Sequence, residues 1–327
     1  MQEIQVILTD THFGIKNNSL LWLKSQEDYI YNEFIPYLKD LKRKQSCELT
    51  VIHCGDLFDS RSSINPYIYF KVENILQEIS KIVDRVIVLA GNHDFYSQND
   101  TPDNVCSLDM LHSIEKVCFL SNTSLILKGA KAAFIPWFEF HNPEKLERAA
   151  KDCKLIFTHT DLQHLDKELY DIIKDKAVIS GHIHVPYSKD NKFNIGACWS
   201  MNFADSNSER GIYTLENWDI NTLKLVENTE SIKFFRVYND TIFEEPSFSE
   251  HDKVEIYIDK NLYTKPDYAE RLKELNSKAD CKIIVVENDI SSKTETVDSS
   301  EWNILDMVEN TIPDFLKNKF KKILSEL

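Results

Sequence analysis

Five short apolar runs, each ending in a cluster of acids, histidines or an asparagine, constrain this chain of 327 residues more than any other feature. Ile4 to Leu8 leads into Thr9-Asp10-Thr11-His12, Leu49 to Cys54 into Gly55-Asp56-Leu57-Phe58-Asp59, and Val86 to Ala90 into Gly91-Asn92-His93-Asp94. Leu155 to Thr158 meets His159, and Ala177 to Ser180 meets Gly181-His182-Ile183-His184. Runs this short, bounded by turn residues, read as buried strands. Between them lie helical stripes that can cover a sheet: Ile30, Phe34, Leu38 and Leu41, then Ile75, Leu76, Ile79, Ile82 and Val83. Polar groups at the carboxyl ends of successive strands stand where α/β sheets bind ligands. The segment from Phe193 to Glu216 is strand-rich, with turn signals at Asn207, Gly211 and Asn217, and is expected to complete a second sheet. The expected fold is α/β, a four-layer α/β/β/α sandwich over residues 1–225.

After residue 226 the texture changes. Lys253 to Ile258, Lys265 to Asn276 and Lys282 to Val286 read as strand, helix and strand, a small α/β domain over 226–290 without a metal-ligand cluster. Residues 291–300 are polar, a linker. From 301 to 327 the pattern is helical again, with Leu305, Val308, Ile312, Phe315, Leu316, Phe320, Ile323 and Leu324 on one stripe. Such a stripe either docks another protein or packs back on its own domain.

Composition narrows the function classes. No apolar run approaches the roughly 18 residues of a membrane span, and Met1-Gln2-Glu3 lacks the basic start of a secretory leader. The seven cysteines form no CxxC pair and read as thiols in a reducing compartment, the cytoplasm, or the host's if the chain is phage-encoded. With 38 basic and 53 acidic residues the net charge is -15, which argues against a nucleic-acid partner unless bound cations or a second subunit offset it.

The motif residues combine carboxylate, imidazole and amide donors with no thiolate, a set suited to manganese or iron. Asp10 and His12, two apart, are expected to share one face of an extended segment. Asp56, in the middle of the series, is the natural bridge between two cations. The expected sets are Asp10, His12, Asp56 and His184 for one ion and Asp56, Asn92, His159 and His182 for the other. His93 is expected to stabilise or protonate a leaving oxygen, with the Asp59 carboxylate orienting it or merely capping a loop. Asp94 reads as a loop residue or one standing behind the ligands, and His53 as a core histidine. His112, His141, His164 and His251 read as ordinary polar residues, and Arg61 as a phosphate contact or a solvated loop arginine.

These motifs together resemble the calcineurin-like metallophosphoesterase superfamily over residues 1 to 215. The narrower resemblance is to the SbcD type of DNA-repair nuclease. It rests on Asp10-Thr11-His12-Phe13-Gly14, Gly55-Asp56-Leu57-Phe58-Asp59-Ser60-Arg61, Ile135-Pro136-Trp137, Ile195-Gly196-Ala197 and Arg210-Gly211. Ile135-Pro136-Trp137 and the stretch from Ile195-Gly196-Ala197 through Arg210-Gly211 look most like the recombination endonuclease subunits of T-even-like bacteriophages. The resemblance implies a metallophosphoesterase sandwich in which Asp10, His12, Asp56, Asn92, His159, His182 and His184 hold two Mn2+ ions and His93 acts catalytically. It also implies cleavage of DNA, at double-stranded ends or in single strands, and an SbcC-type coiled-coil ATPase as partner. Homodimers are common in the family. By position, 226–290 would be a capping domain that binds DNA and 301–327 the ATPase-docking tail. The competing reading is a phosphatase or small-nucleotide phosphodiesterase using the same metals.

Overall fold

The computed structural model describes residues 2–286 except 45, 98, 100–103, 112, 113, 128, 130, 207, 245–247 and 249–251. His112, His251, the linker 291–300 and the tail 301–327 therefore lie outside the described residues. By internal contacts the chain divides into one unit of residues 1–236 and 249–254 and another of 237–248 and 255–327.

Two six-stranded sheets form the first unit. In one the order is Asp219–Glu227, Gly211–Glu216, Gln2–Leu8, Cys47–His53, Arg85–Leu89 and Val117–Leu120, the last four parallel and the first two antiparallel. The other runs Leu125–Ile126, Ala133–Ile135, Leu155–His159, Ala177–Gly181, Lys192–Asn194 and Tyr187–Lys189, with four parallel strands between antiparallel edges. Alternate residues of each inner strand face opposite layers, so each strand is apolar on both sides. Ile7, Ile52, Ile87 and Leu89 meet Phe134, Leu155, Phe157 and Ile179 between the sheets. Val6, Leu8, Val51, Val86 and Val88 instead pack on the helices Leu20–Tyr29 and Pro66–Ile82. Ile156 and Val178 pack on Pro143–Ala150 and Lys167–Ile173. The result is the expected four-layer α/β/β/α sandwich.

Three local features depart from expectation. Gly211–Glu216 joins the first sheet, antiparallel to Gln2–Leu8, and only Lys192–Asn194 of the 193–216 segment enters the second. Residue 225 lies inside the strand Asp219–Glu227, so the sandwich continues past that boundary. The first helical stripe is interrupted by one wide turn at Ile30–Phe34, which still leaves Ile30, Phe34 and Leu38 buried. The helix Pro66–Ile82 starts on good chemistry: Asn65 accepts from Tyr67 N–H and Pro66 opens the first turn, a cap contributing about 1 kcal/mol.

In the second unit the strand Lys253–Asp259, the helix Pro266–Lys278 and the strand Asp280–Val286 follow in order. Ile242, Ile256, Ile258, Leu272 and Leu275 are among its buried apolar residues. Arg271 is held by the carbonyls of Ile242 at 2.9 Å and Glu244 at 2.6 Å. All seven cysteines are free thiols, five of them buried. Among the described residues no helix is long and apolar enough to cross a membrane.

Candidate metal centre

The loops after the first two parallel strands are zipped together by their backbones. Cys54 N–H donates to Leu8 O at 2.8 Å, Asp10 N–H to Gly55 O at 3.0 Å, His12 N–H to Asp56 O at 3.1 Å and Phe13 N–H to Leu57 O at 2.9 Å. Gln26 adds a buried donor to Thr11 O, and the Thr11 hydroxyl donates to Leu57 O. Because that hydroxyl proton is spent, His53 Nε2, 2.9 Å away, must carry its own. His53 is then neutral, and burial draws its pKa down to about 3. It is the core histidine expected, although its Nδ1 has no partner among the described residues.

Asp10 and His12 do not converge by strand alternation, contrary to the expectation from their spacing. The strand ends at Leu8, and both residues are left-handed, with φ of 51° and 44°. Asp56 (56°) and His182 (85°) share this conformation. For residues other than glycine it costs on the order of 1 kcal/mol or more each, and such strain gathers at functional sites. Glycines admit the close approaches the site needs. At Gly55, φ is +100° and an added Cβ would lie 2.5 Å from the His159 ring. At Gly181 it would lie 2.5 Å from Asp10 Oδ2 and strike the Thr9 hydroxyl.

The result is a bowl. Asp10, His12, Asp56 and His159 form its buried floor, and Asp59, Asn92, His93, His182 and His184 its half-buried rim. Two groups of ligand atoms lie within 4.8 Å of one another, Asp10 with His12 and His184, and Asp56 with His159 and His182. A third, His12 with Asp56 and His93, overlaps both. Asp56 Oδ1 accepts from His93 N–H at 2.8 Å, which turns Oδ2 toward His159 Nε2 at 3.2 Å and His12 Nε2 at 3.6 Å. Asn92 Oδ1 sits 3.1 Å from His159 Nε2 and 2.9 Å from His182 Nδ1. Asp10 ties the two sheets' loops together, accepting His182 N–H at 3.1 Å, while its Oδ1 lies 3.7 Å from His12 Nε2 and 3.8 Å from His184 Nε2. All seven residues expected as ligands are thus brought together.

Titration behaviour follows from this crowding. Burial works against charge on Asp10, but the charges of His159 and His12 prevail and hold its pKa at about 2. Asp56 is likewise held far below the carboxylate range by His159 and His12 in spite of burial. Against burial, bonds to Asp10 and Asp59 and the charge of Asp56 lift His12 to about 10, and Asp56 and Asp10 lift His159 to about 9. Burial and the charge of His159 lower His182 to about 4, and burial lowers His184. Without cations, then, two imidazolium groups balance two carboxylates.

The donor set fits divalent cations. Both His12 ring nitrogens are buried among carboxylates, Nδ1 at 3.2 Å from Asp59 and Nε2 at 3.6 and 3.7 Å from Asp56 and Asp10, so Nε2 stands among the oxygens that a divalent cation would share with it. His159 Nδ1 faces the Cys54 carbonyl at 2.7 Å and must donate to it, which leaves the Nε2 lone pair for a cation.

His93 stands beside the floor, its ring centroid 4.9 Å from that of His12. Its orientation corrects the expectation for Asp59. The Asp59 backbone carbonyl, 2.7 Å from His93 Nδ1, orients the imidazole, while the Asp59 carboxylate turns to His12 Nδ1 at 3.2 Å. A carbonyl only accepts, so Nδ1 carries a proton and His93 Nε2 is the atom free for proton transfer.

Two residues that shape the rim carry roles the sequence pattern does not announce. Asp94, expected in a loop or behind the ligands, accepts from the backbone N–H groups of Gly91, Leu57 and Phe58 at 2.9, 3.3 and 3.1 Å, fastening the Asn92-His93 turn to the Asp56 loop. Burial and the nearby charge of Asp56 push its pKa up to about 7. Trp137 packs against His182 and His159 at centroid distances of 5.1 and 6.2 Å, and against His141 at 4.1 Å. The strand-end position of Ile135-Pro136-Trp137 was the available signal. His164 pairs with Asp161 at 2.8 Å, and half-buried Arg61 makes no ion pair among the described residues.

A family model described as calcineurin-like phosphoesterase matches residues 6–186, more than half of the chain and every residue of the bowl. No curated protein matches the sequence. Similar solved structures include the nuclease MPE of Pseudomonas putida, at 18% identity over 64% of this chain and 83% of that one, with a TM-score of 0.30. Another is the phosphopantetheinyl hydrolase PptH of Mycobacterium tuberculosis, at 13% identity over 60% and 89%, TM-score 0.33. A third is a 5'-nucleotidase precursor of Thermus thermophilus, at 12% identity over 58% and 43%, TM-score 0.34.

Proposed function

We infer the activity from one premise: this chain belongs to the calcineurin-like phosphoesterase family, whose members hydrolyse phosphoesters with divalent metals. The finer reading we propose is a DNA nuclease subunit that cleaves phosphodiester bonds with two Mn2+ ions and acts with an SbcC-type ATPase. The observation that carries it is Asp56, whose Oδ2 lies between the His12 side and the His159 side of the bowl. One ion is assigned to Asp10, His12, Asp56 and His184, the other to Asp56, Asn92, His159 and His182.

Bound there, divalent cations supply the positive charge that neutralises a phosphate and the acidity that readies a water for attack. The chain's own residues do the rest. The buried floor excludes bulk water, and the half-buried rim leaves one open side for a phosphate. His93, fixed at Nδ1 by the Asp59 carbonyl, would in its doubly protonated form give the Nε2 proton to the leaving oxygen and be left as the neutral Nδ1–H imidazole. Support for DNA as substrate comes from the motif from Gly55 to Arg61 and its SbcD-type resemblance. By their place in the sequence, residues 226–290 would be a DNA-binding cap and residues 301–327 the ATPase dock. The net charge of -15 makes the cations and the partner the sources of positive charge that DNA requires.

Cleavage of end-labelled linear duplex DNA in Mn2+, beside a generic phosphomonoester, tests this reading. Manganese-dependent degradation of DNA is expected. Efficient phosphomonoester hydrolysis with intact DNA, even after an SbcC-type partner and ATP are added, would assign the chain to the phosphatases instead.

A further inference from the structure

The loop Gly181-His182-Ile183-His184-Val185 supplies two rim histidines and carries left-handed strain at His182. A loop under strain keeps its shape only when its surroundings fix it. Here the segment that follows the parallel strand Lys192–Asn194 captures three consecutive carbonyls. Asn194 Nδ2 donates to Ile183 O at 2.5 Å and to Val185 O at 2.9 Å, and Ala197 N–H donates to His184 O at 3.0 Å. Asn194 is 2% exposed and pinned by its own strand pairing with Ser180, and Ile195 N–H donates to Ser180 O at 3.0 Å. The clamp is therefore built on the strand that pairs with the one leading into the loop it holds.

We propose that Asn194 is a positioning residue for the cation site: its amide sets the direction of His182 and His184 and so sets the affinity for divalent metal. Only an amide serves both carbonyls here. A carboxylate of the same size would repel them, and an aliphatic side chain would take this donor away from both carbonyls. The inference rests on the proposed cation site and adds a residue that never touches the ion. Outer residues that orient metal ligands are worth about 10- to 100-fold in metal affinity when replaced.

The test is Mn2+ titration calorimetry on the full chain, comparing wild type with Asn194→Ala and Asn194→Leu, with thermal melts of the metal-free proteins alongside. A Kd raised about 10- to 100-fold in variants that still melt cooperatively is expected. A Kd within twofold of wild type would overturn the proposal, because a merely structural amide would lower the melt and leave the affinity alone. Hydrogen exchange on the wild type provides a second arm that needs no variant. Mn2+ should slow the Ala197 amide together with that of His182, and slowing at His182 alone would also overturn the proposal. A wild-type chain that binds no Mn2+ at all would instead bring down the cation site itself.

Discussion

The floor and the rim of the bowl carry the same kinds of residue and are built in opposite ways. On the floor, Asp10, His12, Asp56 and His159 are buried and charged against one another, so their pKa values are pushed far from ordinary. On the rim, Asn92, His93, His182 and His184 are half-exposed and held mostly through backbone groups and neutral contacts. The floor is a charge store that needs cations in place of protons. The rim, apart from the Asp59 carboxylate, is an amide and three imidazoles aimed at what enters. This difference predicts that floor substitutions strike metal binding hardest, while substitution of His93, a rim residue outside both ligand sets, strikes turnover.

The largest effect should come from Asp56→Asn, which removes the one carboxylate facing both sides. Loss of cation binding and a fall in phosphodiesterase rate of about three orders of magnitude or more are expected, several kcal/mol of transition-state stabilisation. Calorimetry and initial rates check it, and near-normal Mn2+ binding would break the division. His93→Ala comes next, with kcat down about 10²–10⁴-fold and Mn2+ affinity within about twofold, since His93 is oriented by a carbonyl and not by the charge store. Asp59→Asn sharpens the contrast because it keeps the carbonyl and alters only the carboxylate near His12. A loss under about tenfold in kcat is expected, well short of the His93 variant. An equal loss would restore the carboxylate as the group that orients His93.

The smallest effect is on pH dependence. His12 at about 10 and His159 at about 9 lie above the ordinary 6.5, so their stabilisation of the metal-free protein is complete below that value and is lost as pH rises through 9 and 10. Asp10, at about 2 against 3.8, contributes above 3.8 and loses that contribution as pH falls through 2. The metal-free Tm should therefore drop by a few degrees between pH 7 and 10. Mn2+ affinity should rise over the same range, because binding displaces these protons. A flat affinity between pH 6 and 9 would mean that the floor histidines are already neutral.

Much of this was legible in the chain itself, for a physical reason. Short apolar runs flanked by amphipathic helices can bury themselves only as layered sheets, and the seven residues proposed as ligands stand at the ends of five such runs. Side-chain direction was not legible. The left-handed backbone at Asp10 and His12 comes from the pairing of two loops 45 residues apart in sequence, and no local pattern announces it. The same holds for Asp59, whose carbonyl takes the place expected of its carboxylate beside His93. Gly211–Glu216 found the first sheet because Gln2–Leu8 offered an open edge, a long-range pairing that periodicity does not encode. The anchoring roles of Asp94 and Asn194 are also invisible in sequence, since each acts through backbone groups of distant loops.

Electron paramagnetic resonance of the Mn2+-loaded chain tests the central claim most directly, because two ions sharing Asp56 are magnetically coupled. Two Mn2+ per chain with an exchange-coupled spectrum, reduced to uncoupled or absent signal in Asp56→Asn, is the predicted result. A single isolated six-line signal at saturation in the wild type would contradict it.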